Sequence, residues 1–339
     1  MSRSATNTLL QKAKKLKSDE FYTLLPDIES ELQYYKKHFQ DKIVYCNCDN
    51  PQISNFYKYF AYNFHELGLK MLIASCYQEC QNDLFNEGNN QRGFYYIYTG
   101  SQNENVIPRK EDLIFFKGNG DFRNKENIAL LQKADVVVTN PPFSLFREYV
   151  AQLIQYDKTF LIIGNINAIT YKEIFYLIKE NKAWLGINLG RGISGFIVPE
   201  HYELYGTETR VDDIGNRIIS PNNCLWLTNM ENDKRNSEMV LTKRYEGNES
   251  FYQKYDNCNG INVNKTQDIP MDYPGFIGVP ITFLHKFNPN QFEIVGLGCG
   301  DLAKRIGVTK NHRGRTDLAY TVNGENKCPY SRIVIRRKK

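Results

Sequence analysis

The stretch Ala134-Asp135-Val136-Val137-Val138-Thr139 constrains the fold more than any other part of this chain. Three consecutive valines carry no polar alternation, so both faces of the segment must be covered. Such a strand belongs at the centre of a sheet flanked by helices. The neighbouring sequence agrees. Residues 43–48 read as a buried strand ended by Asp49-Asn50-Pro51, with Cys46 and Cys48 on one face. Residues 53–67 place Phe56, Tyr59, Phe60, Phe64 and Leu67 at helical spacing, closed by Gly68. Further strands are predicted over 70–76, 94–98 and 113–116, and a short helix over 124–133 with Asn124 as its cap. After Thr139 come a helix over 144–156, a strand over 159–163 and a helix over 171–181. This alternation predicts an α/β fold with a doubly wound, mostly parallel sheet spanning residues 41–230. Beyond Trp184 helical periodicity fades. Short strands at 195–198, 224–228, 283–285 and 292–295 predict a last hairpin of the sheet, then a smaller β-rich region over 231–339.

A chain of 339 residues suits about two domains at roughly 100–200 residues each. Its longest apolar runs, such as Phe160-Leu161-Ile162-Ile163, fall far short of the ~18 residues that cross a membrane. Residues 1–18 are polar and Lys-rich, with no apolar centre of a secretory signal, which points to a cytoplasmic protein without a membrane partner. The eight cysteines are then reduced. Neither Cys46/Cys48 nor Cys76/Cys80 has the spacing of a zinc site, so no metal is expected and buried thiols are the plainer reading. Charge is unevenly spread. From Asp301 to Lys339 eleven basic residues stand against three acidic ones, a balance of +8 in a chain whose total is +5. A further lysine cluster lies at Lys12, Lys14, Lys15 and Lys17. Such asymmetry fits a polyanionic partner, although charge runs are also ordinary solvated surface.

Asn140-Pro141-Pro142-Phe143 stands directly between the valine strand and a helix. In open α/β sheets ligands bind beyond the carboxyl ends of the strands. The prolines fix φ and delay the helix, which aims the Asn140 amide oxygen, the Pro141 carbonyl and the Phe143 ring outward. Two acceptors and an aromatic face suit a planar exocyclic amine: both N–H bonds are held and the ring is stacked. Held in this way, the amine nitrogen becomes a nucleophile through positioning and desolvation alone. A stiffened turn without chemistry would look the same in isolation, and only its place between a buried strand and a helix favours the functional reading.

With the strand before it, this motif resembles that of S-adenosylmethionine-dependent amino-methyltransferases. The stretches KSDEFYT, ELQYY, VYCNCDNP, GFYY, ADVVVTNPPFSLFREYVAQL and NAITYKEIF narrow the resemblance to the EcoRI-type adenine-specific modification methylases. GVPITFL and NPNQFEI extend it towards the C-terminus. The resemblance implies that Asn140 and Pro141 hold the N6 amine, with Pro142 stiffening the turn and Phe143 stacking on the base. It implies that Phe21, Tyr22 and Thr23 lie against the methionine part of S-adenosylmethionine, with Asn47 and Asp49 at the cofactor loop and Asp121 near the cofactor adenine. Three positions depart from the family pattern. The loop Cys46-Asn47-Cys48-Asp49-Asn50 has no glycine, the second strand ends at Ser75-Cys76 with Glu79 the nearest acid, and Pro26 comes late after Phe21-Tyr22-Thr23.

A methylase of duplex DNA must extrude its adenine, and so needs a basic surface to grip the backbone. Lys310, Arg313 and Arg315 in a glycine-containing loop, and Arg191 between two glycines, are the candidate DNA-binding residues. Residues 1–40 would flank the cofactor, 41–230 would catalyse and 231–339 would recognise the DNA target. The resemblance implies a restriction-modification enzyme acting on GAATTC or a relative of it. A monomer suffices, because hemimethylated DNA needs only one strand treated at a time. Cytosine N4, RNA guanine and protein glutamine also offer a planar amine. A DNA-binding module with a dead catalytic site is the remaining alternative.

Overall fold

The computed structural model describes residues 22–78, 92–188, 193–198, 209–213, 215–220 and 223–338. Phe21, Glu79, Cys80, Arg191 and the lysine cluster at 12–17 lie outside the described residues. The chain divides into two compact units, Met1–Ile166 with Leu185–Met230, and Asn167–Trp184 with Glu231–Lys339.

The first unit is built on an eight-stranded sheet. Its strands are β1 Ile43–Cys46, β2 Met71–Cys76, β3 Phe94–Tyr98, β4 Ile114–Phe115, β5 Val136–Thr139, β6 Thr159–Asn165, β7 Trp184–Leu185 and β8 Cys224–Thr228. They lie in the order β4-β3-β2-β1-β5-β6-β8-β7. β1 pairs in parallel with β2 and β5, and β5 pairs in parallel with β6. β3 and β4 on one side, and β8 on the other, are antiparallel. The sheet is therefore mixed, with a four-stranded parallel centre, rather than mostly parallel as the sequence pattern predicts. The pattern itself contains the reason. Val136–Thr139 is buried throughout, whereas β3 alternates buried Phe94, Tyr96 and Tyr98 with half-buried Tyr95 and Ile97, as one-sided antiparallel strands do.

Helices α1 Leu25–Leu32, α2 Asn55–Tyr62, α3 Lys125–Lys133 and α4 Phe146–Gln155 complete the regular structure of this unit, apart from a small second sheet. α2 begins where the Ser54 hydroxyl accepts hydrogen bonds from the N–H groups of Phe56 and Tyr57. It ends earlier than its apolar spacing predicts, because the Asn63 amide donates to the Tyr59 carbonyl and competes with the helix ladder. Phe64 and Leu67 stay buried through irregular turns closed by Gly68 at φ +62°. The Cys46–Cys48 expectation also changes, since the strand stops at Cys46 and Cys48 lies in the turn beyond it.

The small antiparallel sheet joins Tyr22–Thr23, Phe196–Val198, Arg217–Ile219 and Thr209–Val211, in that order. α1 fastens the segment leading into it with two buried carboxylates. Glu31 accepts from the N–H groups of Ile187 (2.7 Å) and Asn188 (2.8 Å), and Asp27 accepts from the N–H of Ser194 (2.7 Å). Burial pushes both carboxyls above their ordinary range, and these hydrogen bonds oppose it.

The second unit carries helix α5, Lys172–Lys179, and a five-stranded sheet. Its strands β9 Gln253–Lys254, β10 Gly260–Asn262, β11 Phe276–Pro280, β12 Phe292–Leu297 and β13 Arg332–Arg337 run in the order β9-β10-β11-β13-β12. α5 is tied to β12 by Lys179, whose Nζ donates to the Val295 carbonyl at 2.6 Å. A short helix α6, Gly300–Lys304, follows β12. The strand expected at 283–285 is instead a 3-10 turn, Ile281–Lys286, started by Pro280 at φ −59° and burying Ile281, Phe283 and Leu284. Among the described residues no helix is long and apolar enough to cross a membrane, and no group of three acidic, His or Cys side chains could hold a metal.

Glu31→Ala would remove the buried acceptor of the Ile187 and Asn188 N–H groups, so it should destabilise the first unit by about 2–4 kcal/mol. Denaturant titration checks this, and a loss below about 0.5 kcal/mol, the scale of an ordinary surface substitution, would contradict the fastening role.

Candidate active site

β1 sits between β2 and β5, and strand order runs away from it in both directions: β2, β3, β4 to one side and β5, β6 to the other. This reversal makes a crevice at the carboxyl ends of β1 and β5, where open α/β sheets place their ligands. Two turns leave the sheet there. Asn47-Cys48-Asp49-Asn50 follows β1, and Asn140-Pro141-Pro142-Phe143 follows β5.

Asp49 joins the two turns. Its side chain is 4% exposed. One carboxylate oxygen accepts from the Ser54 hydroxyl at 2.6 Å, and the other accepts from the hydroxyl of Thr139, the residue before Asn140. Ser54 caps α2 with the same oxygen, so a single carboxylate links the first-strand turn, the start of α2 and the end of β5. The Asp49 N–H donates to the Ser75 carbonyl (2.9 Å), which anchors the turn to β2 as well. Burial pushes the Asp49 carboxyl up to about 6, against the pull of the two hydroxyl donors.

Beneath it Tyr45, Ser75 and Asn127 close a buried hydrogen-bonded triangle. Asn47 is buried too, and its side-chain oxygen accepts from the Tyr149 hydroxyl on α4. The side chains of Asn47 and Asp49 are thus both held inward by hydrogen bonds within the fold.

The prolines shape the second turn as expected. Pro142 stands at φ −59°, ψ 122°, and a single 3-10 turn, Phe143–Leu145, intervenes before α4. α4 is pinned at its start by Phe146, whose ring lies against Gly164 of β6. A Cβ at Gly164 would come within 2.6 Å of that ring. Phe143 is half-buried and meets Phe196 edge to face at 6.4 Å between centroids. Phe196 pairs with Thr23 across the small sheet, and the Thr23 carbonyl accepts from Asn55 at the start of α2 at 2.8 Å. Thr23, Phe143 and α2 are therefore assembled together, although they lie far apart in sequence. Thr23 is 2% exposed, and its hydroxyl has no hydrogen-bond partner among the described residues.

Asp121 lies in a loop folded over the end of β2. Gly120, at φ +80°, approaches the Cys76 carbonyl so closely that a Cβ would sit 2.6 Å away, and Gln78 N–H donates to the Asn119 carbonyl at 2.9 Å. The Asp121 carboxylate is gripped by both Nε (2.9 Å) and Nη2 (2.6 Å) of Arg123. Burial raises its affinity for a proton, but the Arg123 hydrogen bonds and charge outweigh that and hold it below the ordinary range. The neighbouring Phe122 packs edge to face on Tyr149 at 5.1 Å, and its carbonyl accepts from Gln152 at 3.1 Å.

In the second unit Lys310, Arg313 and Arg315 are exposed on one tight loop. The Asn311 side-chain oxygen accepts from the N–H groups of Arg313 (2.9 Å) and Arg315 (3.2 Å), and Gly314 turns at φ +70°. Buried Asn257 clamps the loop's stems, donating to the Thr309 (2.8 Å) and Asp317 (2.9 Å) carbonyls and accepting from the Ala319 N–H (3.0 Å).

Sequence reading passed over Ser54, Thr139 and Tyr149. Ser54 was detectable as a helix cap, five residues after Asp49. Tyr149 is indistinguishable from a core aromatic on an amphipathic helix.

The Asp49 carboxyl binds its proton more tightly in the folded chain than its ordinary value of 3.8 allows. Its contribution to stability is therefore complete below that value and lost as pH rises through about 6. The stability of the native chain relative to Asp49→Asn should fall by on the order of 3 kcal/mol across this window. A pH-independent difference in unfolding free energy would contradict the burial argument.

The model of the family described as adenine-specific methyltransferase EcoRI matches residues 9–338. The chain is 60% identical to the Type II methyltransferase M.EcoRI of Escherichia coli over 339 residues, covering 100% of this chain and 99% of that protein. It is 35% identical to the Type II methyltransferase M.MgeORF184P of Mycoplasma genitalium, over 96% of this chain and 98% of that one. It is 34% identical to the Type II methyltransferase M.MpnI of Mycoplasma pneumoniae, over 96% and 97%. No solved structure matches the chain. A family match over residues 9–338, with 60% identity to a full-length relative, places this chain in the EcoRI family of adenine-specific methyltransferases.

Proposed function

We propose that this chain transfers a methyl group from S-adenosylmethionine to N6 of an adenine flipped out of duplex DNA, at a short site of the GAATTC type. The observation that carries the reading is the position of Asn140-Pro141-Pro142-Phe143 at the reversal point of the sheet, beside the turn after β1. Membership in an adenine-specific family supports adenine over cytosine, guanine or glutamine. It equally supports a working enzyme over a dead one.

The residues present fit the donor. The Thr23 hydroxyl is a buried polar atom with no protein partner among the described residues, as expected of a group awaiting a ligand's carboxylate or ammonium. Tyr22 and Thr23 would lie along the methionine part. The backbone of Asn47 to Asp49 would face the ribose, and the Asp121 loop would face the adenine. When bound, S-adenosylmethionine supplies an electrophilic methyl group on a sulfonium sulfur. Asn140 and the Pro141 carbonyl would accept the two N–H bonds of the target N6 amine, fixing its lone pair towards the donor. Pro142 keeps that geometry rigid, and Phe143 would stack on the base, offsetting the few kcal/mol that unstacking costs. Positioning and exclusion of water supply the rate.

We read the parallel centre of the sheet as a doubly wound methyltransferase core within residues 41–230, flanked by 1–40. Residues 231–339 would recognise the target through Lys310, Arg313 and Arg315. Phe21 and Arg191 would join these sets. The enzyme would act as a monomer in the cytoplasm, as the modification arm of a restriction system.

Asn140→Ala should abolish methyl transfer while DNA binding stays within about threefold of the native chain, since phosphate contacts dominate affinity. Turnover above about a tenth of the native rate would remove Asn140 from its role, since losing a positioned acceptor costs far more. Arg315→Ala should weaken DNA binding and make its salt dependence shallower by about one unit of slope, with unchanged cofactor affinity. An unaltered slope would exclude a phosphate contact by Arg315.

A further inference from the structure

Arg332 opens β13 and is 9% exposed, yet no carboxylate among the described residues pairs with it. Its partners are all neutral. Nε donates to the Asn262 side-chain oxygen at 3.0 Å, Nη2 to the Asn264 side-chain oxygen at 2.8 Å, and Nη1 to the Tyr330 carbonyl at 3.3 Å. Four residues along the same strand, exposed Arg336 does hold a carboxylate, Glu293. The buried cation is the one without a counter-charge, the reverse of what desolvation cost favours.

The guanidinium is also rigid. Asn262 is held in turn by the Tyr255 hydroxyl (3.0 Å), and its amide donates to Asn264 (3.0 Å). Three of the five N–H bonds of this arginine go to Asn262, Asn264 and Tyr330, and the guanidinium also meets the Tyr255 hydroxyl. The two terminal nitrogens lie against exposed Asn264 and the backbone of exposed Tyr330, so this end of the guanidinium is at the rim of the burial and not at its floor. A fixed guanidinium that no carboxylate among the described residues compensates suits a group carrying negative charge. A guanine edge would satisfy the donors but leave the charge unpaired. A phosphodiester satisfies both.

We propose that Arg332 binds a backbone phosphate of the DNA substrate and is a fixed phosphate anchor of the second unit. This rests on the reading of the chain as a DNA methyltransferase and adds to it a contact that charge patterning did not single out. Preorganisation distinguishes it from the exposed side chains of Lys310, Arg313 and Arg315, because its side-chain entropy is already spent.

The test uses the full-length chain with Arg332→Met and Arg332→Lys, measuring affinity for a duplex bearing the methylation site across a salt series. Affinity for S-adenosylmethionine and thermal melting are measured in parallel. Arg332→Met should bind DNA at least about tenfold more weakly, the worth of a lost charge-assisted pair. Its plot of log affinity against log salt should be shallower by about 0.9. Arg332→Lys should lose affinity but keep the native slope, because it retains the charge without the planar guanidinium that Asn262 and Asn264 hold in place. A lower melting temperature with native DNA affinity and slope would overturn the proposal and leave Arg332 a structural residue. A native slope with relaxed base preference would overturn it in favour of base reading. If the native chain itself neither binds nor methylates DNA, while methylating another substrate, the functional reading beneath the proposal is what fails.

Discussion

The architecture of the site depends on one buried carboxylate. Asp49 receives the hydroxyls of Ser54 and Thr139, and through them joins the turn after β1, the first turn of α2 and the end of β5. Each hydrogen bond to a charged acceptor is worth about 1.5–3 kcal/mol, while burying the carboxylate costs several. The upward displacement of its titration shows that burial outweighs the donors. The arrangement is retained at some expense to stability, at the point where the Asn-Pro-Pro-Phe turn meets the first-strand turn. Stability given up beside the proposed reaction centre is what a site that needs a fixed geometry would show.

This bracing accounts for the missing glycines. A glycine-rich turn brings backbone close to a ligand by having no side chains in the way. Here the side chains are turned inward and used. Asn47 is held by Tyr149 and Asp49 by Ser54 and Thr139. α4 coordinates the whole edge of the sheet: Phe146 seats on Gly164, Tyr149 reaches the first turn and packs on Phe122, Gln152 holds the Phe122 carbonyl, and Glu148 pairs with Arg123, which grips Asp121. The helix that follows the Asn-Pro-Pro-Phe turn is therefore also the helix that holds the proposed cofactor loops. A disturbance of one is transmitted to the other.

Much of this was legible in the sequence because it rests on local pattern. The unbroken valines of β5 declared a strand buried on both faces, and the two prolines declared a rigid exit from it. The mixed character of the sheet was harder to see, since strand direction depends on how the chain returns rather than on composition. The alternating aromatics of β3 were the available sign. The 3-10 turn at Ile281–Lys286 escaped because a segment as short as Phe283-Leu284-His285 has no period to read. The sequence placed Asp49 in the turn after the first strand, and only the positions of Ser54 and Thr139 reveal that its side chain braces that turn from within. Long-range partners such as Thr139, ninety residues away, leave no trace in local spacing. Arg332 was hidden for the same reason, one basic residue among eleven in its region until burial set it apart.

The central claim is the chemistry at the Asn-Pro-Pro-Phe turn, and one measurement reaches it directly. The purified chain is incubated with methyl-labelled S-adenosylmethionine and unmethylated genomic DNA, the DNA is digested to nucleosides, and the labelled species is identified. The account predicts label in N6-methyladenine and in no other nucleoside. Label in N4-methylcytosine, or none in DNA despite demonstrated cofactor binding, would contradict it.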